Sequence, residues 1–370
     1  GLLSDASPSS AELEGLLSHG GKWNDLGYLI SYDRDTWSRP QLGNLRWTNR
    51  SRDELYHFPD GSIQQNRLSD DDRVFGKNTF TANLDYEFDN GDTVLVNGTY
   101  IQLSSTLNEN IQFTAFNADG TFNRSGIDRK IFELPDKREW EVGGEYRKKI
   151  AEGDLNLIFV YHKENTPTRN FRNEIVGNVT SEINRGEELK KPSEVIVRGS
   201  YSWPMNPSMA LEAGGERSLN IVEQSFTAFF DLDNNGVVDP QPTLITEVEE
   251  LRDELFVIHN WTINDKLALE SSIVAEASNV SNNFPTVPDQ DYFFLKPRAD
   301  LRYNITPLDQ IQLKIERTVE QLNLEFFIPG IDVVDNEIDA GNLGLTPQTA
   351  WEFEARYERR LANDNGTFDI

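Results

Sequence analysis

The stretch that decides the fold reads Thr79-Phe80-Thr81-Ala82-Asn83-Leu84-Asp85-Tyr86-Glu87-Phe88. Every second residue is apolar, and the residues between them are polar or charged. Successive side chains of a β-strand point to opposite faces, so this alternation produces one apolar face and one polar face. The pattern therefore predicts an amphipathic strand.

The same alternation recurs along the chain. From 295 to 305 the residues between the apolar ones include Lys296, Arg298, Asp300 and Arg302, and from 351 to 357 they are Glu352, Glu354 and Arg356. Weaker versions occupy residues 140–146, 155–161, 195–203 and 267–275. Several such runs in one chain predict a sheet that is apolar on one side and polar on the other.

Short turns join these runs in pairs. The turn centres are Asn24-Asp25, Asn90-Gly91, Glu152-Gly153, Asn206-Pro207, Asn264-Asp265, Pro307-Leu308-Asp309 and Asn363 to Gly366. Asn-Gly and similar pairs supply the positive φ angles that tight hairpins need. Because only one flank of the last turn is complete, these turns predict about thirteen strands. Longer polar stretches, at 104–136, 164–191 and 220–250, separate the hairpins and predict long loops at the opposite end.

Composition excludes several classes of protein. The chain has 370 residues, no cysteine and a formal net charge of −27. Without cysteine there is no disulfide scaffold, thiolate chemistry or Cys-ligated zinc. The acidic balance has the wrong sign for a nucleic-acid binder, so no nucleic-acid partner is expected. No run of eighteen apolar residues predicts a transmembrane helix.

Strand length distinguishes a membrane barrel from a soluble sandwich. Sandwich strands usually have five or six residues, whereas the better runs here have ten or eleven, which is enough to cross a bilayer at a tilt. Aromatic residues lie near the short turns, at Tyr86, Phe88, Trp203 and Trp261, and again one strand length away, at Trp140 and Trp351. That distribution is typical of two interfacial girdles. The sequence predicts an all-β, antiparallel transmembrane barrel portion with short periplasmic turns and long extracellular loops.

Three segments resemble TonB-dependent outer-membrane receptors. Residues 294–307, followed by 311–319, are similar to the mid-barrel hairpin of that family, and residues 13–17 and 26–34 resemble an early barrel hairpin. The stretch Gly341-Asn342-Leu343-Gly344-Leu345-Thr346-Pro347-Gln348 is similar to the family's Gly-Asn-x-x-Leu-x-Pro-Glu signature. Gln348 stands where glutamate is more usual, and Leu343 where proline is.

The resemblance implies a fold, a location and a function. Family barrels have twenty-two strands and a plugged lumen, so residues 1–370 are expected to be one partial outer-membrane barrel domain, without a plug domain and with the C-terminal strands missing. The implied function is binding and import of a scarce nutrient by energy-coupled gating, without enzymatic catalysis. The implied partners are outer-membrane lipid, the nutrient, and the TonB system through the absent plug. Lumen-facing charges expected to form networks facing that plug are Arg298, Asp300, Arg302, Glu352, Glu354 and Arg356.

One loop carries a possible metal motif. Asp231, Asp233, Asn235 and Asp239 occupy positions one, three, five and nine of an EF-hand-like Ca²⁺ loop, with Gly236 at position six. Pro242 stands at position twelve, where a bidentate carboxylate is needed. A turn-rich surface loop also favours Asp, Asn and Gly. A calcium ion in an extracellular loop is the only cofactor that the sequence indicates.

The remaining polar groups favour ordinary surface. The acidic segments Asp70-Asp71-Asp72 and Glu247-Val248-Glu249-Glu250 are expected to be solvated loops. The four histidines, at 19, 57, 162 and 259, show no ligand spacing. A soluble, secreted β-rich protein that binds Ca²⁺ or glycan is the alternative function, and an acidic secreted hydrolase is a third hypothesis that rests only on the surplus of carboxylates.

Overall fold

Long antiparallel strands make up most of this computed structural model. It describes residues 14–38, 52–177, 179–233, 237–284, 287–332, 337–339, 341–342, 344–361 and 366–370. The strands are β1 Gly15–Trp23, β2 Leu26–Ser38, β3 Arg52–His57, β4 Ile63–Glu87, β5 Thr93–Phe116, β6 Phe122–Ile150, β7 Gly153–Val176, β8 Val179–Asn206, β9 Met209–Phe230, β10 Asp239–Pro240, β11 Leu244–Asn264, β12 Leu267–Asn282, β13 Gln290–Asn304, β14 Asp309–Val319, β15 Gly330–Asp332, β16 Glu337–Asp339, β17 Thr349–Arg360 and β18 Thr367–Asp369. A 3₁₀ turn, η1, spans Leu324–Phe327.

One meandering sheet contains all of these strands except the small β15–β16 hairpin. Its order is β1-β2-β4-β5-β6-β7-β8-β9-β11-β12-β13-β14-β17-β18, with β3 paired to β4 and β10 paired to β9. Thirteen of the fourteen strands on this path are long, so the strand number expected from the turns is confirmed. No helix in the described part of the chain is long and apolar enough to cross a membrane.

The outer face of the sheet carries an apolar band. Phe80, Tyr100 and Trp140 lie side by side on β4, β5 and β6, with ring centroids 6.2 and 5.4 Å apart. At the tight-turn end, Tyr86 and Phe88 pack edge to face at 4.7 Å. Phe353 on the same face of β17 is 74% exposed. Large apolar side chains on an uncovered sheet face indicate contact with lipid.

Backbone geometry at the tight turns agrees with the sequence. Asn24 and Ala151 have φ of 52° and 54°, and Gly91 has φ of 81°. The turn residues and the register together bring Ile150 opposite Gly153 and Tyr146 opposite Leu157. Each hairpin therefore keeps its apolar residues on one face throughout the band.

The opposite ends of the hairpins differ from expectation. The sequence predicts long loops there, whereas β4 to β9 and β11 each continue as strand for 21 to 29 residues. About ten residues suffice to cross a bilayer, so more than half of each strand projects beyond it. In that projection neither face touches lipid, and the period-two apolar signal disappears although the strand continues.

Candidate functional site: the inner face of the sheet

Lys296 on β13 holds together two facing glutamates on the inner face. The register places Glu254 of β11 directly opposite Glu276 of β12. Like charges opposite one another destabilise a strand pair. The Lys296 ammonium lies 2.9 Å from Glu254 Oε1 and 2.6 Å from Glu276 Oε2, so it compensates both carboxylates.

Two arginines extend this network across the sheet. Arg252 on β11 is buried, with its guanidinium 3.8 Å from Glu216 and 3.7 Å from Glu254. Arg198 on β8 reaches Glu216 at 3.4 Å and lies over the Phe256 ring, 4.3 Å from its centroid. Stacking on an aromatic face keeps a guanidinium in place at little entropic cost. We call these six residues, Arg198, Glu216, Arg252, Glu254, Glu276 and Lys296, the inner charge network.

The connection between β14 and β17, residues 320–348, is called the inward connection, because its described residues (320–332, 337–339, 341–342 and 344–348) fold back against this inner face. Its η1 turn places Phe327, 2% exposed, against Val248 of β11, which is 0% exposed, and Val280 of β12. Asn323 caps η1 by accepting a hydrogen bond from the Glu325 amide at 3.0 Å. Burial of apolar side chains on both partners stabilises the folded-in position.

Polar contacts join the ends of the inward connection to each other and attach it to the strands. The Glu320 amide donates to the Gln348 carbonyl at 2.9 Å, which joins the two ends of the connection. The Tyr292 hydroxyl on β13 donates to the Leu345 carbonyl at 3.0 Å. When the Gln321 side-chain amide is oriented to satisfy its neighbours, its oxygen accepts from Arg252 Nη2 at 2.7 Å. The connection therefore contacts the inner charge network directly.

Gly341 is required for this folded-in position. Its φ is +65°, and a Cβ atom there would lie 2.6 Å from the Phe327 carbonyl oxygen. Left-handed backbone costs an L-residue about 1–2 kcal/mol, which corresponds to a five- to thirty-fold change in a population. We expect Gly341→Ala to accelerate protease cleavage within residues 320–348 by at least that factor. Gly344→Ala is the matched control, because a Cβ atom at residue 344 would lie 3.7 Å from its nearest neighbouring atom, which is an ordinary contact distance. Equal cleavage of both variants would contradict the role assigned to Gly341.

A cavity of about 260 Å³ lies between the inward connection and the strands. His162, Glu194, Asn220 and Glu250 line it from the sheet, and Asn323 and Glu325 line it from the connection. Glu250 lies on the side of the apolar band away from the tight turns, four residues beyond Glu254 on β11. Burial is the largest cause that raises the pKa of Glu250, and the Glu276 and Glu194 carboxylates raise it further, while Arg252 and Asn220 offset part of the effect.

Comparison with known proteins decides the family. The sequence pattern of the outer membrane protein beta-barrel family matches residues 146–369, which is more than half of the chain. The chain belongs to this family. No curated protein sequence matches it.

Solved structures agree with this family at the level of fold. The siderophore receptor PiuA from Acinetobacter baumannii superposes with a TM-score of 0.54 at 10% identity, covering 95% of this chain and 55% of that one. The ferripyoverdine receptor of the outer membrane of Pseudomonas aeruginosa gives 0.50 at 11% identity, covering 96% and 47%. This member of the family therefore spans about half the length of those receptors. The barrel fold and the outer-membrane location predicted from the sequence are confirmed, and the soluble, secreted alternative is not favoured.

The lumen charges predicted for this outer-membrane barrel divide into two groups. Arg298 and Arg302 both approach Asp300, at 3.7 and 3.5 Å, and Gln312 donates to that carboxylate at 2.7 Å. On β17, Arg356 instead pairs with Glu358 and Asp369 at 3.9 and 3.4 Å. Glu352 accepts from the Thr318 hydroxyl at 3.1 Å, and Glu354 lies exposed on the same strand. In the first group Arg298 also reaches Glu270 of β12 at 3.4 Å and Glu316 of β14 at 3.8 Å, so this group links three strands. Arg356 and Glu352 of the second group each contact one neighbouring strand.

Three of the four predicted calcium ligands lie in the described part of the chain, at the end of the strands away from the tight turns. Asp231 and Asp233 follow β9, and Asp239 begins β10, where it pairs with Phe230. Asn235 lies outside the described residues. Within the described ranges, these aspartates do not belong to any group of three carboxylate or histidine ligands whose atoms lie within 4.8 Å of one another. The calcium loop stays a prediction.

One cluster was missed from the sequence. His162 Nε2 lies 3.4 Å from Glu139 Oε1, and Glu164 completes a group of three potential ligand atoms within 4.8 Å. The Lys137 ammonium already pairs with Glu164 at 2.7 Å. Sequence spacing does not show this cluster because Glu139 lies on β6, whereas His162 and Glu164 lie on β7. Counting outward from the β6–β7 turn would have found it, since Ile150 opposite Gly153 places Glu139 opposite Glu164.

The acidic segment at 247–250 also differs from expectation. It was expected to be solvated loop, but it lies within β11, where alternation turns Val248 and Glu250 inward. Glu250 is only 4% exposed, so the solvated-loop prediction is wrong for this residue. Asp70 to Asp72 likewise lie within β4 rather than in a loop.

Proposed function

We propose that this chain forms part of the barrel wall of a TonB-dependent receptor that imports a scarce nutrient through the outer membrane. The observation that carries the proposal is the inward connection, packed against a charged inner face. A porin wall borders an open aqueous channel, whereas transporters of this architecture enclose a plugged lumen. The inner face here is partly covered by the inward connection and rich in paired charges. Such a face is suited to contact a plug domain that moves within the lumen.

Import in this proposal requires binding followed by gating, without covalent catalysis. A ligand shifts a conformational equilibrium only by its difference in affinity for the two states. The inner charge network and the Arg298–Asp300–Arg302 cluster provide polar surface that a plug domain of the whole protein would contact. The TonB system, acting on that plug, would supply the energy. The two matched receptors carry siderophores in their names, so ferric siderophores are the first nutrients to test.

Uptake measurements test this proposal. A strain without the gene for the full-length protein is expected to lose uptake of one limiting nutrient, and restoring the gene is expected to restore uptake. The same loss is expected in a strain that keeps the gene but lacks TonB. Uptake that continues without TonB, together with steady conductance of the purified protein in planar bilayers, would identify a passive pore and contradict the proposal.

A further inference from the structure

The cavity beneath the inward connection has an unbalanced lining. Its charged or titratable members are Glu194, Glu250, Glu325 and His162, and no lysine or arginine lines it. Glu325 pairs with Lys190 at 3.8 Å, which leaves Glu194 and Glu250 as the lining glutamates without a lysine or arginine nitrogen within 4.0 Å in the described part of the chain. The inner charge network next to it is different, because there each carboxylate lies within 4.0 Å of an arginine or lysine nitrogen. The cavity therefore has a local excess of negative charge.

Glu250 is the carboxylate of the cavity whose negative charge is least compensated. Its side chain is 4% exposed and lines the cavity. One oxygen accepts a long hydrogen bond from Asn220 Nδ2 at 3.4 Å. Within the part of the chain that the structure describes, no lysine or arginine nitrogen lies within 4.0 Å of it. A buried carboxylate without a close cation is unfavourable in its charged form, so a bound cation would relieve that cost.

Ligand spacing distinguishes two kinds of cation. A single metal ion needs donor atoms that converge within a few ångströms. Among the described residues, only Glu139, His162 and Glu164 bring three such atoms within 4.8 Å of one another. The glutamates of the cavity lie outside that group, so their spacing suits a cation with several atoms rather than one metal ion.

The cavity is large enough for a small organic ligand. A water molecule takes about 30 Å³ of liquid volume, so about 260 Å³ holds roughly nine waters. A group of eight or nine non-hydrogen atoms fits that space. The Asn220 and Asn323 side chains offer carbonyl oxygens that accept hydrogen bonds from N–H donors.

We propose that this cavity binds a small organic cation, a guanidinium or primary ammonium group, with Glu250 as its principal counter-ion. The proposal deepens the import function proposed above, on which it rests for its biological meaning, because it assigns a charge class to the ligand. The binding step itself does not depend on TonB.

A charged probe and its neutral isostere test the proposal. We choose n-butylguanidinium and n-butylurea, which share shape and size, and titrate each into the full-length protein in detergent by calorimetry. Butylguanidinium is expected to bind saturably, and butylurea at least tenfold more weakly. Equal affinity for both probes, or saturable binding of Ca²⁺ or Zn²⁺ that depends on Glu250 in place of butylguanidinium, would overturn the proposal.

Two neighbouring residues of β11 provide a matched pair of variants. Glu250→Gln keeps the size of the inward-facing side chain and removes its charge, so the affinity for butylguanidinium is expected to fall at least tenfold. Glu249→Gln removes the same charge from the outer face of the same strand, and the affinity is expected to stay within twofold. The same loss in both variants would indicate a general effect of net charge and would contradict a specific role for Glu250.

The pH dependence gives an independent measurement. Butylguanidinium keeps its charge at all relevant pH values, so any change comes from the protein. Only the ionised form of Glu250 attracts it, and affinity is therefore expected to fall as pH is lowered through the raised pKa of Glu250. The other titratable or charged groups facing Glu250 are Arg252, Glu276, Glu194, Glu325 and His162. Glu250→Gln keeps all five, so a pH profile unchanged by this substitution would assign the effect to them and contradict the proposal.

The two proposals fail in different ways. If butylguanidinium does not bind but TonB-dependent uptake is present, the cation site is wrong and the import function stands. If butylguanidinium binds through Glu250 but uptake is independent of TonB, the cation site stands and the import function is wrong.

Discussion

Replacing Lys296 with methionine is expected to lower the free energy of unfolding by about 3–5 kcal/mol, the usual cost of removing one partner from a buried ion pair. Methionine keeps most of the volume of lysine but leaves Glu254 and Glu276 facing one another without their shared cation. Because the Lys296 side chain retains a fifth of its exposure, the lower end of that range is expected. The midpoint of urea unfolding, followed by the shift in electrophoretic mobility between folded and unfolded barrel, measures the change.

A variant that lacks the two carboxylates as well as the lysine distinguishes the effect of charge on stability from the effect of packing. The triple variant Lys296→Met, Glu254→Gln and Glu276→Gln has no uncompensated charge at this position, and uncharged groups of similar volume often replace a buried ion pair without loss. It is therefore expected to recover most of the stability that the single variant loses. If Lys296→Met unfolded at the same urea concentration as the unaltered protein, the prediction would be wrong. That result would show that solvent compensates the charges of both glutamates. A triple variant no more stable than the single one would assign the loss to packing.

Within the apolar band, sequence patterns were sufficient to predict strands and register. Lipid accepts only apolar side chains, so each crossing segment must alternate, and tight turns with residues such as Asn24 and Gly91 fix where pairing begins. From these two constraints the position of Phe80 opposite Tyr100 follows by counting. The strand number, the outward aromatics and the inward charges of β13 were accessible for the same reason.

Beyond the apolar band the sequence was less informative. There both faces contact water or protein, so Glu247 to Glu250 show no alternation of polarity, although their side chains alternate in space. The stretch was interpreted as solvated loop, and Glu250 was missed as a buried group. What buries it is the inward connection, whose η1 turn lies 74 residues later in the chain. Contacts at that separation depend on tertiary packing, which no local pattern encodes.

The inner charge network could be predicted from the sequence in part. Alternation predicted that Lys296 faces inward, and the resemblance to TonB-dependent receptors predicted charge networks there. The partners of Lys296 lie 20 and 42 residues away on two other strands. Identifying them requires the registers of β11, β12 and β13 together, and a shift of one residue in either pairing would turn the glutamates to the opposite face.

The second large effect on stability is expected from arginine substitutions at two adjacent residues of β5, because their side chains point to opposite faces of the sheet. Val96 lies on the outer face between the Tyr86–Tyr146 girdle, at the level of Val94, and the Tyr100–Trp140 girdle, and its cross-strand neighbours are Leu84 and Gly144. An arginine at the bilayer midplane of a transmembrane barrel costs about 2–4 kcal/mol. Because Val96 lies inside the apolar band but short of its middle, we expect Val96→Arg to lower the free energy of unfolding in lipid vesicles by about 2 kcal/mol, the lower end of that range.

Asn97→Arg is the matched control, because it places the same charge one residue along the same strand and on the opposite face. Its direct neighbours are Asn83 and Gly143, with Asp85 and Glu145 one step along the inner face. An arginine there remains hydrated and near carboxylates, so the expected change is below about 1 kcal/mol, the usual range for exposed charge pairs. The difference between the two variants is expected to shrink in detergent micelles, where the long arginine side chain reaches water more readily. If Asn97→Arg destabilised the protein more than Val96→Arg, the assignment of the two faces would be reversed, and the inner charge network would face lipid.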